Sequence, residues 1–281
     1  MNAAVAAIKP RKPSGLAFVP TMGALHEGHA ALMRLARESG AAVVVSIYVN
    51  PTQFGPKEDF TKYPRALEAD YRICEREGVA IVFAPADNEM YPNGLQAVSM
   101  AHCAPSTWVE ELQVAKRLEG ERRPGHFRGV CTVVAKLFNI VQPDRAYFGQ
   151  KDYQQLKVIQ RMARDLCYPI EIVPVPTVRE ADGLAMSSRN QYLSPSERAQ
   201  ATVLWKSLNI ACDLLNHGET NARNLQTSMA RAVELAPAAR LDYAEIADPE
   251  TLEPRQEVKR GDVALIAVSV GTTRLIDNLV L

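Results

Sequence analysis

The chain has 281 residues, with 32 basic and 32 acidic side chains and a formal net charge of zero. That length supports one large domain or two of ordinary size, and the balanced charge provides no broad basic face of the kind that duplex DNA or bulk tRNA requires. Apolar residues make up 47%, yet no apolar run approaches the roughly 18 residues of a membrane span, and "MNAAVAAIKPRKPSG" has no basic start followed by an apolar core. The composition predicts a soluble, cytoplasmic protein with no nucleic-acid and no membrane partner. Five scattered cysteines (Cys74, Cys103, Cys131, Cys167 and Cys212) form no C-x-x-C pair, so they read as free thiols packing as small hydrophobes.

In chain order, "LAFV" (16–19) and "AAVVVSIYV" (41–49) are continuous β-branched-rich runs, as expected of strands covered on both faces. Between them "HAALMRLARESG" places Leu32, Leu35 and Ala36 on one helical face and stops at Gly40. The alternation continues: a helix in "PRALEADYRICEREG", a strand at 79–85, a helix in "VCTVVAKLFNIVQ", a short strand "RAYFG", a helix in "DYQQLKVIQRMARDL" and a strand at 170–178. Such alternation predicts a parallel sheet with right-handed crossovers, and ligands then gather beyond the carboxyl ends of the strands. After residue 178 the pattern changes. A polar loop leads into "SPSERAQATVLWKSLNIACDLLNHG", a helix with Ser194 as N-cap, Pro195 at its first position and Glu197 closing a capping box. A second helix at about 220–235 and three strand-like runs, "LDYAEIA", "VALIAVSV" and "TRLIDNLVL", complete the chain. The expected fold is α/β: a Rossmann-like parallel-sheet domain over 1–178 and a smaller α+β domain over 179–281 closing over the active site.

The residues that carry chemistry fall just after the strands. "PTMGALHEGH" (20–29) holds no G-x-G-x-x-G but sets His26 and His29 on the first turn of a helix. Residues at i and i+3 share a face, and that face meets the partially positive helix end. The pair therefore suits phosphate oxygens; a zinc pair lacks an H-E-x-x-H spacing and a third ligand, and a plain surface pair stays open. In "VNPTQFG", Asn50 and Gln53 are loop amides suited to a hydroxyl or carboxylate, or to local backbone groups. "YFGQKDYQQL" puts Lys151 and Asp152 at another helix start, the lysine suited to phosphate and the aspartate to a cap, a nucleotide or a metal, with Gln155 one turn on. "MSSRN" (186–190) offers Ser187, Ser188 and Arg189 on a flexible loop able to fold over a triphosphate, although such residues are commonplace in loops.

Together, "PTMGALHEGH", "VNPTQFG", "RRPGHFRGV", "FGQKDYQQ" and "MSSRNQYLS" resemble, in order, the motifs of the pantoate–β-alanine ligase family, within the HIGH-motif nucleotidyltransferase superfamily. The likeness runs from about Gly15 to the closing "GTTRLIDNLVL"; the short, proline-interrupted N-terminal segment 1–14 departs from it. The resemblance implies condensation of pantoate with β-alanine at the expense of ATP, through pantoyl adenylate, releasing AMP and pyrophosphate. It implies that Met22, Gly23, Ala24, Leu25, His26, Glu27, Gly28 and His29 form the ATP-binding turn, with His29 as catalytic acid and His26 beside it. Gly149, Gln150, Lys151, Asp152, Val178, Met186, Ser187, Ser188 and Arg189 match the other nucleotide contacts, Lys151 being catalytic. Gln53 and Gln155 match pantoate ligands, Gln53 also lying near β-alanine, with Asn50 beside them. Asp70 falls at a magnesium-associated carboxylate, and Arg123 and His126 are supporting residues near the pantoate pocket. The resemblance also implies Mg2+ and a homodimer. Rival readings are another HIGH-type transferase, an aminoacyl-tRNA synthetase, and a non-catalytic ATP-sensing module; fold alone does not separate them.

Overall fold

The computed structural model describes residues 15–56, 58–92, 94 and 105–281; the N-terminal departure at 1–14 and Cys103 lie outside the described residues. The chain divides into two compact units, Met1–Gln150 with Gln154–Val175, and Lys151–Tyr153 with Pro176–Leu281.

The first unit is built on five parallel strands: β1 (Leu16–Thr21), β2 (Ala42–Ile47), β3 (Ile81–Phe83), β4 (Arg145–Gly149) and β5 (Glu171–Val175), in the order β3-β2-β1-β4-β5. The apolar runs behave as continuous hydrophobic strands should: Ala17, Phe18, Val19, Val43, Val44 and Val45 are all buried, so β1 and β2 are covered on both faces. β1 and β2 pair in register from Leu16 against Ala42 to Thr21 against Ile47. The run at 79–85 pairs only over its centre, as an edge strand.

Helix α1 (Glu27–Glu38) crosses between β1 and β2. Its buried stripe is Ala30, Met33 and Ala36. Leu32 and Leu35 flank the same cluster only partly buried, which corrects the face expected from the sequence: two alanines bring the helix backbone close to the sheet, and the leucines close over the margins. Helices α2 (Leu67–Arg76), α3 (Asp87–Met90), α4 (Glu119–Arg122), α5 (His126–Val141) and α6 (Tyr153–Asp165) follow. The strand order reverses between β1 and β4, so the turn after β1 and Gly149 at the end of β4 open onto one crevice at the carboxyl ends.

In the second unit, helices α7 (Pro195–Ala201), α8 (Val203–Asn216) and α9 (Ala222–Glu234) accompany an antiparallel sheet of β6 (Ala239–Ala247), β7 (Val263–Val270) and β8 (Thr273–Val280). The capping box expected at 194–197 is present. The helix expected to run on from it instead breaks at Thr202, whose hydroxyl donates to the Ala199 carbonyl at 2.9 Å. Leu204, Leu208, Leu225 and Met229 pack with Ile246, Ile266 and Val268 as a separate core. The architecture is the expected α/β sheet domain with a small α+β unit. Cys74 and Cys131 are buried free thiols, and burial pushes their pKa values up to about 11 and about 12. No helix among the described residues is long and apolar enough to cross a membrane.

Candidate active site

The turn after β1 is held in an unusual conformation by side chains distant in sequence. Gly23 and Ala24 both have positive φ, 80° and 49°, and a Cβ on Gly23 would lie 2.9 Å from Asp70 Oδ2, so only glycine fits there. Asp70, 2% exposed, accepts the amide of Ala24 at Oδ2 (3.0 Å) and that of Leu25 at Oδ1 (2.7 Å). A carboxylate expected beside magnesium thus clasps the backbone of the turn, spending one lone pair of each oxygen.

His26 is the N-cap of α1 with extended backbone, not a residue of its first turn as expected. Its Nδ1 accepts the Gly28 amide (3.1 Å), while His29 Nδ1 accepts the His26 amide (3.3 Å), a capping box in which two imidazoles stand where serine and glutamate are common. The rings still meet, with centroids 4.2 Å apart. Because each Nδ1 accepts, each neutral ring carries its hydrogen on Nε2. The helix start therefore presents two imidazole N–H donors in addition to its own amides.

Beyond β2, the single turn Pro51–Gln53 carries Asn50 and Gln53, both buried. Asn50 Oδ1 accepts from Tyr91 (2.8 Å) and Thr52 (3.0 Å), and its amide donates to Gln53 Oε1 (3.1 Å) and the Gly129 carbonyl (3.2 Å). With its oxygen engaged, Gln53 donates from Nε2 to Met22 Sδ (3.0 Å), which leaves the second Nε2 hydrogen for another acceptor. The Gln53 side chain is thereby set as a donor, suited to a carboxylate or hydroxyl oxygen. Gly129 of α5 lets this turn pack against the helix, since a Cβ there would come within 2.4 Å of the Thr52 carbonyl oxygen. Of the paired glutamines on α6, Gln154 clamps the carbonyls of Val114 and Arg117 at 2.8 Å each, while Gln155 is half-buried.

A cavity of about 350 Å3 opens beside the turn, lined by Met22, Gly23, Tyr48, Arg65, Asp70 and Asp87 among others. Tyr48 donates to Asp87 (3.0 Å), and burial with that carboxylate pushes its hydroxyl pKa upward, so it remains a donor. Tyr91, Thr52, Glu58 and Tyr48 escaped the sequence reading; no local spacing signals Tyr91, which lies 41 residues from the Asn50 it orients.

Gln150, the last residue of its stretch of the first unit, forms with Lys151 and Asp152 of the second a 3-10 turn that precedes α6 rather than opening it. Lys151 lies 3.6 Å from the Asp152 carboxylate, and Asn278 donates to its carbonyl (2.8 Å). Val178 and Met186 are joined by a backbone hydrogen bond of 2.9 Å across a hairpin. The segment expected to be a flexible loop is ordered: Ser187 caps a 3-10 helix over Ser188–Tyr192 by accepting the Arg189 amide. Arg179 buttresses the hairpin, bonding both Asp277 oxygens (2.6 and 3.0 Å) and stacking 3.7 Å over Trp205. His26 and His29 thus belong to one unit and Lys151 with Ser187–Arg189 to the other.

The family model described as pantoate-beta-alanine ligase matches residues 1–280. A pantothenate synthetase of Moorella thermoacetica is 52% identical over 99% of this chain and 94% of its own length. One of Aquifex aeolicus is 53% identical over 94% and 90%. Among solved structures, pantothenate synthetase from Thermus thermophilus superposes with a TM-score of 0.90 at 47% identity, covering 98% of this chain and 97% of that one. Pantoate-beta-alanine ligase from Francisella tularensis, complexed with beta-gamma ATP and beta-alanine, gives a TM-score of 0.78 at 31% identity, over 99% and 95%.

Proposed function

The chain belongs to the pantoate-beta-alanine ligase family, and from that premise we propose that it joins pantoate to β-alanine at the expense of ATP. The reaction runs in two steps. The pantoate carboxylate attacks the α-phosphorus of ATP in line, forming the acyl–phosphate bond as pyrophosphate leaves; the β-alanine amine then attacks the acyl carbon, loses a proton to form the amide, and AMP departs. Adenylation is needed because a free carboxylate is inert to an amine.

The observation that carries this reading is the imidazole capping box at the start of α1, in which Nδ1 of both His26 and His29 accepts a backbone amide, so that Nε2 of each ring is the N–H end at a helix N-terminus. Donors held there before the reaction stabilise charge on the crowded α-phosphate without reorganising. The remaining turn residues from Met22 to His29, with Gly149, Gln150, Lys151, Asp152, Val178 and Met186 to Arg189, are the other ATP contacts that the family resemblance supports. Lys151 balances charge on the departing pyrophosphate. Gln53 presents its N–H end to pantoate, and Gln155 is the second pantoate ligand.

Magnesium binds through one or two carboxylates with substrate phosphates. Asp70 fits that role, since each of its oxygens keeps a lone pair and its side chain lines the cavity beside Gly23. When bound with ATP, the ion neutralises phosphate charge. The family resemblance further supports a cytoplasmic homodimer, testable by solution mass.

Mixing the protein with ATP, magnesium and pantoate, without β-alanine, tests the reading. Stoichiometric pyrophosphate release and an enzyme-bound pantoyl adenylate are expected. Absence of pantoate-dependent pyrophosphate release refutes the ligase reading and favours an ATP-sensing module.

A further inference from the structure

We propose that His126 is a positioning residue for substrate, acting through Gln53 by a relay that runs from half-buried Glu58 and Arg123 to buried His126 and Gln53. The proposal rests on the reading of Gln53 as a pantoate ligand. His126, the first residue of α5, is 7% exposed. Its Nδ1 lies 2.8 Å from the Gln53 carbonyl oxygen and its Nε2 lies 3.0 Å from Arg123 Nη1. The partners decide the tautomer. A guanidinium only donates and a carbonyl only accepts, so Nε2 must accept and Nδ1 must carry the hydrogen. Glu58 grips the guanidinium at Nε (2.9 Å) and Nη2 (2.6 Å), which fixes the plane of the fork and hence where Nη1 points.

The relay closes a ring. Glu58 lies five residues beyond Gln53, so the segment that leaves the Gln53 turn is led back to the same turn through Arg123 and His126. From the other side Asn50 holds the Gln53 side-chain oxygen, and Gly129 removes the Cβ that would push the turn off α5. Gln53 is therefore held at its carbonyl by an imidazole and at its side-chain oxygen by an amide, while Nε2 donates one hydrogen to Met22 Sδ and keeps the other for substrate. Burial, with the Arg123 charge beside it, lowers the His126 pKa to about 4, so the ring is neutral and the relay intact at neutral pH. A ligand held in this way is sensitive to small displacements of its anchor, because reactive geometry is lost over about 1 Å.

Steady-state kinetics of the full-length protein test the role, with pantoate-dependent pyrophosphate release as the signal. His126→Leu removes both ring contacts; His126→Asn keeps a donor near the position of Nδ1. The Leu variant is expected to raise KM for pantoate by about tenfold or more while KM for ATP stays within about twofold, and the Asn variant to recover most of the loss. Equal rises in both KM values, no rise in either, or an Asn variant no better than Leu overturns the relay. Failure of the unaltered protein to release pyrophosphate overturns the ligase reading itself, an outcome visible before any substitution is made. Should both variants fail to fold, 15N-histidine spectra of the unaltered protein decide. At pH 7 the His126 ring is expected as the Nδ1–H tautomer, with a signal that pantoate shifts and ATP does not; an Nε2–H or charged ring, or no response to pantoate, overturns the proposal.

Discussion

Replacing Asp70 with asparagine isolates the clasp on the turn after β1, proposed above to bind ATP. The carboxylate accepts two amides, at 3.0 and 2.7 Å, and a hydrogen bond to a charged group contributes about 1.5–3 kcal/mol. Asparagine keeps one carbonyl acceptor but turns an NH2 group towards the other buried amide, so one bond is lost and a donor faces a donor. The expected cost is about 2–4 kcal/mol, which for a folding unit of this size lowers the melting temperature by roughly 5–15 °C. The turn that loosens carries Gly23 and Ala24 at positive φ, so the same variant is expected to raise KM for ATP, and saturating ATP should restore part of the lost stability. Thermal unfolding followed by circular dichroism, with and without ATP, and ATP titrations of initial rate supply the measurements. An Asp70→Asn protein with an unchanged melting temperature and ATP affinity refutes the clasp. Full recovery by excess magnesium assigns the residue to the metal instead.

Three other predictions rest on single geometries. His29→Ala and Lys151→Ala are each expected to lower turnover by about a hundredfold or more, because one preorganised donor contributes about 3–4 kcal/mol to the transition state; near-normal turnover in both removes these residues from the mechanism. His126 has a folded pKa lowered from 6.5 to about 4, so between those values the unfolded chain binds more protons and stability falls as pH falls. The loss is about 3 kcal/mol from pH 6.5 to pH 4, and a His126→Asn protein should show a correspondingly flatter acid limb in urea unfolding. Arg179→Met leaves Asp277 buried without its guanidinium partner and is expected to cost about 3–5 kcal/mol at neutral pH. Burial already raises the Asp277 pKa, so the folded state of the variant favours the protonated acid; its deficit should shrink as pH is lowered towards 4, and a deficit independent of pH argues against a buried charge as the cause.

Much of the architecture was legible locally. Strand and helix periods located the alternating elements of the sheet unit, and the Ser-Pro-Ser-Glu run marked the start of α7 before any coordinates, because such signals are carried by residues within one or two turns of each other. The order of five short motifs pointed to the family. The site was legible only as a set of residue types. Spacing placed His26 and His29 on one face but did not reveal that their Nδ1 atoms are consumed in capping, which is what leaves the hydrogen on Nε2. The family resemblance marked Asp70 as a magnesium-associated carboxylate and not as the acceptor for amides 45 and 46 residues earlier in the chain.

The same division explains Gln53 and the 187–189 segment. Sequence identified an amide suited to an oxygen ligand; which end it presents depends on Tyr91 and Asn50, and on the His126 ring that meets its carbonyl from 73 residues away. Ser187 and Arg189 read as a flexible loop until the hairpin beneath them, pinned by Arg179 and Asp277 98 residues apart, proved to be ordered. Local propensity and periodicity are properties of neighbouring residues and survive in a one-dimensional reading. Donor direction, tautomer and the left-handed backbone of the turn depend on partners that only the folded chain brings within about 3 Å of each other, and those are the quantities the chemistry uses.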